Sequence, residues 1–263
     1  MSTGPNKSIA KAIRVLEVVC GSPRHLSIRE IAIQVGYSLA TTHRVLSTLR
    51  QVGAVQETTD GFFMLGPRLV ELHSSLASQL SEMKSVVERE LSTLLNEPGI
   101  SVRLSLLISG RLTIIAGCDN GVHNRFRSRI GGHYSAYCTA PGKSLLSTLP
   151  THQIDDYLDA APLVALTTKT IVEPDRLKHE LRQIRSTGYA LDDQEFLDGV
   201  RCISVLVPTG DRKEFAALSV ATESLAREML IGEVLPQLTG RAMVLAEELR
   251  GFPRGLRALE LAP

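Results

Sequence analysis

The order of apolar and polar positions divides the chain into a short helical head, a long helix and a mixed body. Over residues 8–20, Ile9, Ile13, Leu16 and Cys20 recur at steps of four, three and four, the spacing of one helix face. Gly21 and Pro23 end that helix. Ser27 stands as a helix cap before Ile28, Ile31, Ala32 and Val35, with Glu30 three residues on to complete a capping box, and Gly36 stops the run. A further helix opens near Ser38. Its apolar stripe is Val45, Leu49 and Val52, while Thr41, Arg44, Thr48 and Gln51 repeat on another face, and Gly53 ends it. Two short runs, 54–57 and 62–65, flank Thr58-Thr59-Asp60-Gly61, a hairpin signal. Three helices with a tight turn before the last, followed by a hairpin, predict a winged helix-turn-helix.

From Pro67 a long helix is expected, with Leu69, Leu72, Leu76, Leu80, Met83, Val87, Leu91 and Leu94 on one stripe. A stripe of that length points either to a partner surface or to packing on its own domain. Beyond it the pattern mixes strands and helices without alternation. Strands are expected at 102–108 and 112–118 around Ser109-Gly110, and at 127–130, 189–191, 202–208 and 215–221. Helices are expected at 139–149, 174–187 and 226–250, the last ended or kinked at Pro236. The fold class that follows is α+β, with a central antiparallel sheet in the body.

Charge adds one detail. The chain of 263 residues has a formal net charge of +1, but residues 1–80 carry eight Lys/Arg against five Asp/Glu. A basic head on a slightly acidic body suits phosphate contact. No apolar run reaches the 18 residues a membrane helix needs, and Lys7, Lys11, Arg14 and Glu17 interrupt any signal peptide, so a cytoplasmic protein is expected. Cys20, Cys118, Cys138 and Cys202 form no C-x-x-C pair and read as buried free thiols.

Several segments invite chemistry. Pro141-Gly142-Lys143-Ser144 ends like a P-loop, but Tyr137 occupies the position of its first glycine, so no phosphate cradle is expected. The acidic run Asp192, Asp193, Glu195 and Asp198 fits a metal site less well than solvated loop carboxylates, and neither Cys138 nor Cys202 has a nucleophile's signature. No metal, cofactor or enzyme activity is expected. The helix start at Thr139 to Gly142 directs backbone N–H groups and a positive dipole end outward, which suits a carboxylate. Gly131-Gly132 lets the chain approach it, and Tyr134 and Tyr137 are candidate walls.

In detail the chain resembles the IclR family of transcription regulators. In the head the resemblance lies in Ser8-x5-Arg14-Val15-Leu16, Leu26-Ser27-Ile28-Arg29-Glu30-Ile31-Ala32, Gly36-x4-Thr41-x-His43-Arg44-Val45-Leu46 and Phe63-Met64-Leu65-Gly66. Leu39 and Ala40 depart from it, standing where the family shows Lys and Ser. In the body it lies in Gly132-x7-Ala140-x-Gly142-Lys143-x-Leu145-Leu146, Thr167-x2-Thr170, the stretch from Gly188 to Cys202, and Phe215-Ala216-Ala217-Leu218-Ser219.

The resemblance implies a DNA-binding domain over 1–66, a linker helix over 67–84, a GAF-like effector-binding domain over 85–250 and a tail over 251–263. It implies DNA contacts from Arg29, Ser38, Thr41, Thr42, His43 and Arg44. Effector contacts would come from the backbone of Ala140 and Pro141 and from Asp192, Val200, Cys202 and Ser219. Ala221 stands where the family often has a second Ser. Asp192 beside an anion-binding helix end would be protonated, bind an effector hydroxyl or be bridged by water. The implied function is a one-component regulator, a repressor rather than an activator. It would bind operator DNA as a homodimer or homotetramer and answer to a small organic or aromatic acid. The rival reading is a DNA-binding protein whose body only oligomerises.

Overall fold

The structure, a computed structural model, describes residues 6–92, 99–108, 110–120, 130–209 and 215–249. It divides into two compact units between Gln79 and Leu80.

The first unit contains α1 (Lys7–Gly21), β1 (Leu26–Ser27), α2 (Ile28–Val35), α3 (Leu39–Gln51), β2 (Val55–Glu57) and β3 (Phe62–Leu65). The start of α4 (Arg68–Leu91) belongs to it as well. Local rules fix most of these boundaries. Ser27 and Glu30 form the reciprocal capping box, and Gly36 closes α2 with a φ of 72°, a left-handed conformation that glycine adopts without strain. Ser38 caps α3 by accepting from the Thr41 N–H. The hairpin β2–β3 forms the wing, and the two-residue β1 adds to its far side, in the order β1-β3-β2.

Two helix faces differ from the periodic reading. In α1 the buried residues are Val15 and Val19, while Ile9, Ile13 and Cys20 are exposed. In α3 the buried face is Thr42, Leu46 and Leu49, and Val52 is exposed. In both helices two apolar stripes compete, and the one that meets Leu26, Ile31, Ala54, Val55 and Phe63 in the core prevails.

The second unit is an α+β domain. Its six strands are β4 (Ile100–Ile108), β5 (Arg111–Asn120), β6 (His133–Ser135), β7 (Tyr189–Asp193), β8 (Arg201–Pro208) and β9 (Phe215–Thr222). They form one antiparallel sheet in the order β6-β5-β4-β9-β8-β7. Its helices are the end of α4, α5 (Ala140–Leu146), α6 (Thr151–Ala160), α7 (Pro174–Thr187), α8 (Arg227–Met229) and α9 (Leu235–Leu249). One sheet face packs on α9 and on Val87 of α4; the other packs on α5 and α7.

The expected strand at 127–130 lies outside the described residues except for Ile130, which sits in a turn; the described strand is β6. The α4 side chains Leu76, Leu80, Met83 and Leu91, together with Leu94, the tail 251–263 and Arg250, also lie outside the described residues. Leu72 is exposed. The helix expected at 139–149 ends at Leu146, and α6 follows where none was expected. The helix expected at 226–250 is interrupted by a π-turn at Leu230–Val234, just before Pro236, where Leu235 N–H bonds back to the Leu230 carbonyl. Pro236 has no N–H to continue a regular ladder, and the wide turn lies where that bond is missing.

Candidate functional site

The head presents an outer face on α2 and α3. Arg29, Ser38, His43 and Arg44 are exposed and Thr41 is half-buried. Four other head arginines are each paired with a glutamate: Arg14 with Glu17, Arg24 with Glu30, Arg50 with Glu57 and Arg68 with Glu71. Among the described residues Arg29 and Arg44 have no such partner, so their charge remains available to an external anion. Ser38 Oγ donates to Thr41 Oγ1 at 3.0 Å, fixing the start of α3. Thr42 corrects the expectation. It is fully buried, and its hydroxyl donates to the Ser38 carbonyl at 3.1 Å, so the side chain packs inside the head instead of facing DNA.

In the second unit the face of the sheet opposite α9 carries polar residues in register. On β4 these are Ser101, Arg103 and Ser105; on β9 Ser219; on β8 Cys202 and Ser204; on β7 Asp192. Here the sheet encloses a cavity. Of the expected effector residues, Pro141, Asp192, Val200, Cys202 and Ser219 line it, as does Tyr134. Ala140 is fully buried and is not part of the lining. Tyr137 is not a wall either: its hydroxyl donates to the Val164 carbonyl at 2.6 Å and accepts from the Val164 N–H, anchoring the loop before α7.

The sequence reading missed Arg103, Ser105, Leu112, Ile114 and Phe196, which line the cavity together with Thr139 and Ala221. The alternation along β4 was the signal that could have found two of them, Arg103 and Ser105. Arg103 Nη1 donates to the carbonyls of Val102 and Cys118, and Nη2 donates to Asp119 Oδ1 at 2.5 Å. Gly117 stands opposite it, where a Cβ would come within 2.6 Å of the Arg103 side chain and 2.4 Å of the Val102 carbonyl, so only glycine fits there.

Tyr134 lies on one edge strand, β6, and Phe196 just after the other, β7, yet their rings meet edge to face with centroids 5.9 Å apart. The two edges of the curved sheet are thus brought together over the cavity. The lining residues surround about 450 Å³ of empty space, open solvent at the mouth included, and the centre of a water molecule can reach only about 30 Å³ of it.

Of the acidic run, Asp198 is exposed as expected and Asp193 is partly so, but Asp192 and Glu195 are buried. Asp192 is 3% exposed, and its Oδ1 accepts from the Glu195 N–H at 2.6 Å and the Phe196 N–H at 3.3 Å. Burial pushes its carboxyl up to about 7, helped by the nearby Glu195 and opposed by those two N–H bonds and Lys143. Glu195 is buried against Lys143, whose ammonium donates to it and to Glu180; these two carboxylates keep the fully buried lysine charged. Asp193 pairs with Arg201 and Lys169. Thr167 and Thr170 donate to the carbonyls of Gln194 and Glu195 at 2.7 and 2.6 Å, so the turn after Asp192 that carries Phe196 is tied to the loop before α7.

Burial pushes the Cys138 thiol up to about 12, and it raises Cys202 as well, so neither is a thiolate nucleophile. Cys118 is only half-buried, unlike the buried thiol expected. The start of α5 has no side-chain cap, and Thr139 Oγ1 donates to the Ser135 carbonyl at 3.1 Å.

Comparison with known proteins agrees with this geometry. The family described as the IclR helix-turn-helix domain matches residues 8–59, and the one described as bacterial transcriptional regulator IclR C-terminal matches residues 76–242. The chain is 31% identical over 223 residues to the Transcriptional repressor IclR of Escherichia coli K12, covering 84% of this chain and 81% of that one. Its fold is similar to an IclR regulator from Silicibacter, with a TM-score of 0.79, 24% identity and 94% and 99% of the two chains covered. It is also similar to an IclR homolog from Microbacterium hydrocarbonoxydans complexed with 4-hydroxybenzoate, with a TM-score of 0.70, 23% identity and 93% and 99% covered. Among the described residues no helix is long and apolar enough to cross a membrane. The chain therefore belongs to the IclR family of bacterial transcriptional regulators, with a DNA-binding helix-turn-helix at its head and the family's C-terminal domain after it.

Proposed function

We propose that the chain is a transcriptional repressor that holds operator DNA through α3 and the wing, as a homodimer or homotetramer, and is controlled by a small organic or aromatic acid in the cavity of the second unit. In this reading residues 1–66 bind DNA, 67–84 link, and 85–250 bind the effector. The DNA contacts come from Arg29, Ser38, Thr41, His43 and Arg44, without Thr42. The observation that carries the effector half is the cavity: a partly enclosed, largely apolar space whose wall holds a guanidinium, Arg103, and a carboxyl, Asp192, pushed up to about 7 by burial. A name of repressor on a relative of 31% identity supports the direction of control. The effector acts by binding one arrangement of the protein more tightly than another, so that its presence changes the population that grips DNA.

The test is an operator titration with and without a panel of organic acids, paired with calorimetry. One acid that binds and changes operator affinity bears the reading out. If none binds, the body that only oligomerises replaces it. In the same assay Arg44→Ala should weaken binding to all sequences alike and lower the slope of log affinity against log salt by about one if it meets a phosphate. An unchanged slope and affinity would remove Arg44 from the interface.

A further inference from the structure

One hydroxyl in the cavity wall differs from its neighbours. Thr139 Oγ1 donates to the Ser135 carbonyl, and Ser219 Oγ donates to the Arg103 carbonyl at 3.5 Å. Ser105 has no exposed surface, lines the cavity, and its Oγ has no hydrogen-bond partner among the described residues. Its cross-strand neighbours are Ile114 on β5 and Ala217 on β9, so its surroundings would suit an alanine. A buried hydroxyl gives up its bonds to water, and one that receives nothing in return weakens the fold relative to alanine. A serine kept under those terms is explained by a group that arrives from the cavity.

The register of the sheet says where that group would sit. Asp192, Cys202, Ala221 and Ser101 form one row across β7, β8, β9 and β4. Ser105 lies four residues further along β4, about 13 Å at roughly 3.3 Å per residue. The lining thus carries Asp192 in the first of these rows and Ser105 four residues along, with Arg103 and Ser219 in the row between and Ile114 and Val200 among its apolar residues. On β9, Ala221 offers no hydroxyl.

We propose that Ser105 is a specificity-determining residue of this cavity, its hydroxyl bonding a second polar group of an acid that reaches from the Asp192 end to β4. An acid of ring size or longer with a hydrogen-bonding group at each end has the length to span from the Asp192 row to Ser105, and a two- or three-carbon acid does not. This inference rests on the reading of the cavity as an effector site.

The experiment is calorimetry at pH 7 on the full chain and on Ser105→Ala, with benzoate, 4-hydroxybenzoate, terephthalate and pyruvate as probes. The wild type should bind one of the two para-substituted acids about tenfold or more tighter than benzoate. Ser105→Ala should lose about threefold or more of that preference while benzoate binding stays the same. Its thermal midpoint should equal or exceed the wild type's, since no protein bond is lost; a lower midpoint would reveal a protein partner for the hydroxyl and overturn the inference. If Ser105→Ala keeps the preference, or if pyruvate is the tightest ligand of the wild type, the role of Ser105 fails and the effector site stands. If none of the four acids binds the wild type, the effector reading falls and this inference with it.

Discussion

The two faces of the six-stranded sheet are both buried, and they do different work. On the α9 side, Ile100, Val102, Leu104 and Leu106 of β4 meet Ile203, Val205 and Val207 of β8 and Leu218 and Val220 of β9, without a polar atom among these side chains. On the other side the same strands turn Ser101, Arg103, Ser105, Ser204 and Ser219 inward, all under 5% exposed. In a sheet with one wet face, this alternation would place polar residues in water. Here it places them in the interior, where each needs a partner or a purpose. A polar side chain on a strand covered on both faces is thus a better guide to function than one on the surface.

This contrast can be broken at several points. Leu218→Ala, on the apolar face, should cost about 2–5 kcal/mol in urea unfolding and leave the relative affinities for different acids unchanged. Altered selectivity in a variant that remains folded would show that the two faces are not separable.

Asp192→Asn tests the opposite face. The folded carboxyl titrates at about 7 against an ordinary 3.8, so the folded state binds the proton more tightly than the unfolded chain does. Its contribution is most favourable below pH 3.8 and is lost as pH rises towards 7, a span of at most about 4 kcal/mol. The asparagine variant should lose this slope. Parallel stability–pH curves for the two proteins would mean that Asp192 is already ionised in the fold. Ser219→Ala should have the smallest effect, weakening the effector by about 0.5–1.5 kcal/mol in calorimetry. Wild-type affinity would take Ser219 out of the contact set.

What the sequence made legible was local. The capping box of Ser27 and Glu30, the wing turn at Asp60-Gly61, and the end of α7 at Gly188 each depend on a few adjacent residues, and each stands where the spacing put it. What it hid depends on distant partners. The choice between Ile9 and Val15 as the inner face of α1 is made by α2, α3 and β3, and β1 exists only because Phe62 and Phe63 lie beside Ser27 and Leu26. In the cavity, the motif positions Asp192, Cys202 and Ser219 were readable by resemblance. Arg103, Ser105 and Phe196 were not, because a strand register and the meeting of two sheet edges bring them there.

The π-turn before α9 has a consequence in angular phase. Leu230 and Leu238 are both fully buried, yet they are eight residues apart, which on a regular helix of 3.6 residues per turn would set them about 80° out of line. A turn closed from residue i to i+5 takes up one residue more than the usual i to i+4. The eight-residue interval therefore covers about the rotation that seven residues cover in a regular helix, close to two whole turns. The wide turn is a one-residue slack link: it keeps a leucine on each side of Pro236 pointing at the same sheet while the proline's missing bond is absorbed between them.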